Sequence, residues 1–351
     1  TAFGKSALEL NTSGNPNEAF GAYTLDANTT GSNNVAIGYA ALTANTTASN
    51  NVAVGNNTLA ANTTGAQNTG LGHQALKANT TASNNTAVGY FSLYANTTGS
   101  ENTAVGRNSL SANTTATNNT AVGYASLENN TTGASNTAVG GYALEENTTA
   151  DNNTAFGYLA LTTNTTGTNN TGIGKDSLRD TSTGDDNTGC GAFTLRANST
   201  GEYNVAVGRG ALIKNTTASY NVAVGRGAMY ENTTGANNIA VGDLALDANT
   251  TASNNTAIGK EALGLNTTGE QNIAIGNYSL DANVTGNHNV ALGYQALTSN
   301  TGSNNTALGH VAMYANTTGT QNVAVGYAAL DANTTASYNT AIGYQALTAN
   351  T

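Results

Sequence analysis

The chain has 351 residues, of which only 9% are charged, with a net charge of −10, a single cysteine and 41 glycines. The acidic balance excludes nucleic acid as a partner, since phosphate binding draws on clustered Lys and Arg. Cys190 stands alone, which excludes an intrachain disulfide framework, and no run of about 18 apolar residues exists to span a membrane as a helix.

One 17-residue unit repeats about 21 times, as in NTAVGYASLENNTTGAS from Asn119 to Ser135. Counting slots 1 to 17 from the leading Asn, Thr1 falls at slot 2 and full units begin at Asn17 and every seventeenth residue thereafter. The unit spanning 289–304 is one residue short, after which Asn305, Asn322 and Asn339 open the last three. A period of this kind marks a solenoid, whose units bury apolar residues only by stacking on neighbours. The expectation is one continuous all-β parallel solenoid or β-roll over 1–351, cut from a longer chain because it starts and stops in mid-unit. At the spacing of paired strands it would make a rod roughly 100 Å long.

Within each unit, slots 2 to 4 (Val35-Ala36-Ile37) are β-branched with period-2 character and read as a short strand. Slot 5 is always Gly and marks a sharp turn or a close backbone approach. Slots 8 and 9 (Ala41-Leu42) read as a second short strand, with a one-turn helix over slots 6 to 11 as the other option. Slots 12 to 17, NTTGSN or NTTASN, are a turn cluster. NTTG (Gly31, Gly65, Gly99) at first alternates with NTTA (Ala48, Ala82, Ala116), as if the chain grew by copying pairs of units.

Slots 3, 4, 5, 8 and 9 never carry a charge; every Lys and Arg sits at slots 6, 10 or 11. Because ionised side chains are rarely buried unpaired, this separates inside from outside. Taking the large residues of slots 4 and 9 as the core turns slot 3 outward. A face restricted to Ala and Gly then implies a second chain packed against it, hence a homo-oligomer.

The segment NVAIGYAAL (Asn34–Leu42) resembles the head repeats of trimeric autotransporter adhesins of the YadA-like type, whose core is N-S-V-A-I-G-x-G-S. Similar NTAVGYxAL…NTTG arrays occur in predicted phage tail fibres and bacterial surface proteins. The resemblance covers every unit through about nine residues, with a longer period and without the second Gly at positions such as Asn57 and Gln74. It implies a left-handed β-roll, association of chains as a homotrimer or filament, and an extracellular, cell-surface or virion location.

Material for catalysis is thin. His73 and His310 lie at slot 6 and His288 at slot 17, in distant units, so no triad or metal cluster forms from them. Cys190 occupies slot 4 and is expected to be a buried thiol. Asp at slot 10 (Asp26, Asp247, Asp281, Asp331) is too sporadic for a calcium ladder. No catalytic, cofactor-binding or metal residue is assigned and no enzyme is expected. The Asn ladders at slots 1 and 12 read as satisfying turn backbone. Slots 12 to 14 also spell an N-glycosylation pattern, with candidate acceptors Asn28, Asn45, Asn62, Asn79, Asn96, Asn113, Asn130, Asn147, Asn164, Asn198, Asn215, Asn232, Asn249, Asn266, Asn283, Asn316 and Asn333. Sixteen tyrosines at slots 6, 7, 10 and 17 either fill the rim of the solenoid or stack on sugars. The expected function is a structural or adhesive extracellular fibre whose partners are itself and glycans or a host surface. A phage tail-fibre shaft and an ice-binding solenoid are the alternatives.

Overall fold

A computed structural model describes residues 1–348, which fall into two compact units, Thr1–Lys175 and Asp176 onward. Each unit is a parallel β-solenoid with one 17-residue coil per repeat. In the first, strands run from Ala2–Phe3 through Asn17–Phe20 and Asn34–Ile37 to Thr171–Ile173. In the second they run from Thr188–Cys190 to Thr340–Ile342. Neighbouring coils pair in parallel at the repeat period, as in Thr103 with Thr120, Ala104 with Ala121 and Val105 with Val122.

Each coil holds one strand, at slots 2 to 4, and slots 8 and 9 form no second strand. They belong to a turn in which the slot-9 residue is left-handed, with φ between 47° and 58° from Leu195 to Leu347. That conformation costs an L-residue roughly 1–2 kcal/mol. It turns the Leu side chain into the coil, where complete burial, as at Leu59 and Leu110, contributes about 1.5–3 kcal/mol in return. The Leu carbonyl then closes the turn by accepting from the slot-12 amide, for example Asn62 N to Leu59 O at 3.2 Å.

Backbone bonding between coils continues past the strand and around the turns. In the coil from Asn51 to Gln67, Val52 N–H donates to Asn68 O, Gly55 to Ile37 O and Asn57 to Tyr39 O. Leu59 donates to Ala75 O, Ala61 to Lys77 O, Thr63 to Thr80 O and Gln67 to Ser49 O, at distances from 2.8 to 3.2 Å. Ladders on every side satisfy backbone groups that a core of few large side chains would otherwise leave exposed. Slot 5 must be Gly for two reasons. Its φ lies between +116° and +145°, and a Cβ on Gly38 would sit 2.6 Å from Gly55 O of the next coil.

The orientation of the strand is the reverse of the size-based expectation. Slot 3 points inward: Ala36, Ala53, Ala87 and Ala104 are fully buried, while slot 4 points out, with Ile37 42% and Phe156 55% exposed. The interior is too narrow for a larger residue opposite the slot-9 Leu. At Gly70 and Gly189 even a methyl group would crowd the slot-8 side chain of the preceding coil: a Cβ on Gly70 would come 2.5 Å from Thr58 Cγ2, and one on Gly189 would lie 2.7 Å from Ser177 Oγ. The small residues therefore report a tight core, and the argument that slot 3 meets a second chain does not hold.

Two columns of fully buried Asn complete the interior. At slot 12, Asn96 Nδ2 donates to Asn79 Oδ1 and to Gly99 O, both at 2.9 Å, and Asn96 Oδ1 accepts from Asn113 Nδ2 at 2.8 Å. At slot 1, Asn102 N–H donates to Asn85 Oδ1 at 2.9 Å and Asn102 Nδ2 to Ala116 O at 2.8 Å. The short coil interrupts the slot-12 column. Asn300 Oδ1 accepts from Asn305 and Asn316, Asn300 Nδ2 donates to Gly302 O, and Asn283 Oδ1 is left buried without a partner.

Candidate interaction surface

With slot 3 inward, slots 2 and 4 form the outer face of the strand ladder. In the first unit seven successive coils place Thr at slot 2 (Thr69, Thr86, Thr103, Thr120, Thr137, Thr154, Thr171) beside Leu71, four valines, Phe156 and Ile173 at slot 4. In the second unit slot 2 turns largely aliphatic, with Val205, Val222, Ile239, Ile273 and Val290. Most side chains of this face are half-buried or exposed. Slot 4 never carries a charge and slot 2 does so once, at Glu18. A solvated strand face would collect Lys, Glu and Gln; this one is an apolar and threonine stripe along each unit, broken by charge only at Glu18. The outward strand slot without charge is therefore slot 4, not slot 3. The missed signal was size: Val, Ile, Leu and Phe at slot 4 fit an unconfined side of the sheet, whereas Ala and Gly at slot 3 fit a confined one.

Cys190, expected buried, sits at slot 4 and is an exposed free thiol on this face. The slot-12 acceptors also differ from expectation. Asn28, Asn45, Asn62, Asn79, Asn96, Asn113, Asn130, Asn147, Asn164, Asn198, Asn215, Asn232, Asn249, Asn266, Asn283, Asn316 and Asn333 are all fully buried. Their Nδ2 atoms donate within the solenoid, as Asn45 does to Asn28 Oδ1 of the preceding coil at 2.9 Å and to Ala48 O of its own turn at 3.1 Å. A sugar on such a nitrogen would replace a bonded proton and enter the core, so the folded coil opposes attachment. The same letters build the turn, in which slot 14, as at Thr47 and Thr64, presents its Thr to solvent, joined by slot 13 at Thr301, Thr317 and Thr334.

Next to the stripe, slot 6 stacks aromatic rings from coil to coil. Tyr294, His310, Tyr327 and Tyr344 follow one another at centroid distances of 5.2, 5.4 and 5.3 Å, with planes within 24°. His73 lies on Tyr90 at 5.3 Å, and the Arg107 guanidinium sits between the rings of Tyr90 and Tyr124 at 5.7 and 5.8 Å. Rings inside such a stack cover each other's faces and present edges, which favours the rim-filling role over stacking on sugars. His73 and His310 are thereby each placed in a stack of rings within its own unit. Among the described residues no group of three or more His, Cys, Asp and Glu is arranged to hold a metal, and no helix is long and apolar enough to cross a membrane.

No protein-family model matches this chain, and no curated protein matches it in sequence.

Proposed function

We propose that the chain is a non-enzymatic segment of an extracellular structural or adhesive fibre, and that it associates with copies of itself through the slot-2 and slot-4 face. The observation that carries this reading is the absence of charge at an outward slot in every coil. Burying exposed aliphatic side chains yields about 25 cal/mol per Å2, and a stripe that lengthens with each coil adds area in proportion. Isologous or cyclic packing of parallel copies uses one patch repeatedly, which suits a face whose character is the same from coil to coil. The likeness to adhesin head repeats points the same way, as does the solenoid, which spaces a surface without needing an active site.

Cys190 supplies the test, because it is the one cysteine and lies in the stripe. The native mass of the purified segment should be a multiple of 35.1 kDa. Mild oxidation should link Cys190 between copies packed in register, and Val122→Lys with Val139→Lys should return the monomer. A monomer at high concentration, with Cys190 freely alkylated, would refute self-association.

A second reading draws on the seven successive slot-2 threonines. Outward Thr and aliphatic side chains stand about 6.6 Å apart along each strand and about 4.8 Å apart between coils, a flat regular array of the kind an ice surface could meet. Thermal hysteresis abolished by Thr120→Lys would support it, and none at millimolar protein would remove it. A phage tail-fibre shaft is the same architecture in another setting, and the flanking sequence decides between the two.

A further inference from the structure

Slot 7 is left-handed in nearly every coil, yet it accepts Asn57, Phe91 and Tyr142 at φ from 55° to 60°. Glycine is therefore not required there. It occurs at slot 7 in the second unit at Gly210 and Gly227, in adjacent coils. A Cβ on Gly210 would meet nothing closer than the Tyr230 ring at 3.8 Å, while one on Gly227 would come 2.8 Å from Leu244 Cδ2, the far end of a side chain that lines the same notch. What the two glycines do is leave space: an open notch of about 230 Å3 bounded by Phe193, Arg209, Arg226 and Tyr230. A second hollow of about 330 Å3 adjoins it, sharing Ile213 and Tyr230 and adding Arg179, Arg196 and Lys214.

The charge of these walls runs against the rest of the chain. Five of the ten Lys and Arg residues of a protein of net charge −10 line the two hollows, with Asp180 as the one acid. Several are already engaged. Arg226 is held by Asp243 through bonds of 2.8 and 3.0 Å, Lys214 by Glu231 at 2.6 Å, and Arg179 by Asp180 at 2.7 Å. Arg209 is exposed and makes no ion pair among the described residues. Its planar fork is suited to a bidentate carboxylate contact. The Arg196 guanidinium is parked 5.9 Å from the Phe193 ring, and Tyr230, 36% exposed between the hollows, carries the Lys214 ammonium 5.4 Å over its ring, leaving its edge and other face to the notch.

We propose that this double notch is a binding site for an acidic saccharide, with a uronic or sialic acid carboxylate on Arg209 and the sugar ring over the floor left open by Gly210 and Gly227. An isolated inorganic anion would have no use for the aromatic wall or for a second hollow. A chain of sugar rings would use both, one ring to each hollow. The site lies beyond the Gly turn from the slot-2 and slot-4 stripe, and the inference is independent of self-association.

Calorimetric titration of the intact segment with trigalacturonate and with a sialic acid dimer tests it, the methyl esters serving as uncharged counterparts. Saturable binding of an acid form is expected, weakened about tenfold or more by esterification or by Arg209→Gln, the worth of one charge-assisted contact. Gly210→Phe should abolish binding while leaving the circular dichroism spectrum and melting midpoint unchanged, because Phe193 already occupies slot 7 in the preceding coil. Arg107→Gln, in the first unit, should bind as the parent does. Absence of saturable binding to either acid, equal affinity for the esters, or full binding by folded Gly210→Phe would each overturn the proposal.

Discussion

Replacing Asn96 by Ala removes three buried hydrogen bonds at once: those to Asn79 Oδ1 and Gly99 O, and the one accepted from Asn113 Nδ2. The partners do not suffer equally. Gly99 O keeps the bond from Asn85 Nδ2 at 3.0 Å, and Asn113 Nδ2 keeps Ala116 O at 3.1 Å, so both remain partly satisfied. Asn79 Oδ1 is left with nothing. At about 1 kcal/mol for each net bond and about 1–3 kcal/mol for an orphaned buried acceptor, the substitution should cost about 4–6 kcal/mol. Against a typical total of about 5–15 kcal/mol, that is enough to open the surrounding coils. Asn96→Asp should be worse at neutral pH, since it buries a charge and sets an oxygen against two acceptors, and should recover in part when protonated. Thr98→Ala, two residues further along the turn and exposed, should change stability by less than about 0.5 kcal/mol. Because coil arrays need not unfold in one step, native-state hydrogen exchange is the suitable assay. Amide protection in the coils flanking residue 96 should fall by about 10³–10⁴-fold, following the factor of ten per 1.4 kcal/mol. A loss below about fivefold would mean that the Asn column contributes little and that the slot-9 leucines alone hold the interior.

Inserting Thr after Asn300 restores the full coil length; it should let Asn300 Nδ2 reach the orphaned Asn283 Oδ1 and raise stability by about 1 kcal/mol in urea unfolding. Gly106→Ala should cost more than about 3 kcal/mol or prevent folding, because its Cβ would meet the backbone of Gly123 in a conformation that L-residues avoid; a native-like melt would contradict this. Burial, reinforced by the charge of Glu261, raises the Asp281 carboxyl above its ordinary value, and burial with Glu231 does the same for Asp247. A raised acid binds more protons folded than unfolded, so stability falls as pH rises from about 4, the ordinary value, through the raised one. Asp281→Asn should accordingly stabilise the second unit at pH 7 and flatten that part of its stability profile, read from melting midpoints across pH 3.5–7.5 (an expected window of about four units).

The solenoid was legible because its signal repeats: an aliphatic at slot 4, Leu at slot 9 and Gly at slot 5 recur too regularly for a disordered tract. The inside and outside of the strand were not, since period-2 alternation has two phases and residue size chose the wrong one. Ala36 beside Ile37 carries no label for which side is confined; the confinement shows only once the coils are stacked, as where a Cβ on Gly70 would crowd Thr58 of the coil before. The left-handed Leu at slot 9 was illegible in principle, as Leu rarely adopts that conformation outside a setting this constrained. Asn at slot 12 hydrogen-bonds the turn as the sequence suggested, but its complete burial depends on the coils stacked against it. The basic notch left two visible marks, the paired glycines at slot 7 and the crowding of Lys and Arg between residues 175 and 226. Neither is a motif, and only the fold brings them to one place.

The hydrogen-bonded ladders that run around every coil have a mechanical side. All bonds to a coil lead to the coil above or below, so a pull on one end of a unit loads only the outermost turn, which must yield before the next is stressed. Each turn that peels away exchanges about 4.8 Å of stack for about 56–61 Å of extended chain, at 3.3–3.6 Å for each of its 17 residues. Tension on either unit would thus be absorbed in small equal steps, each lengthening the molecule roughly twelvefold over the turn it consumes.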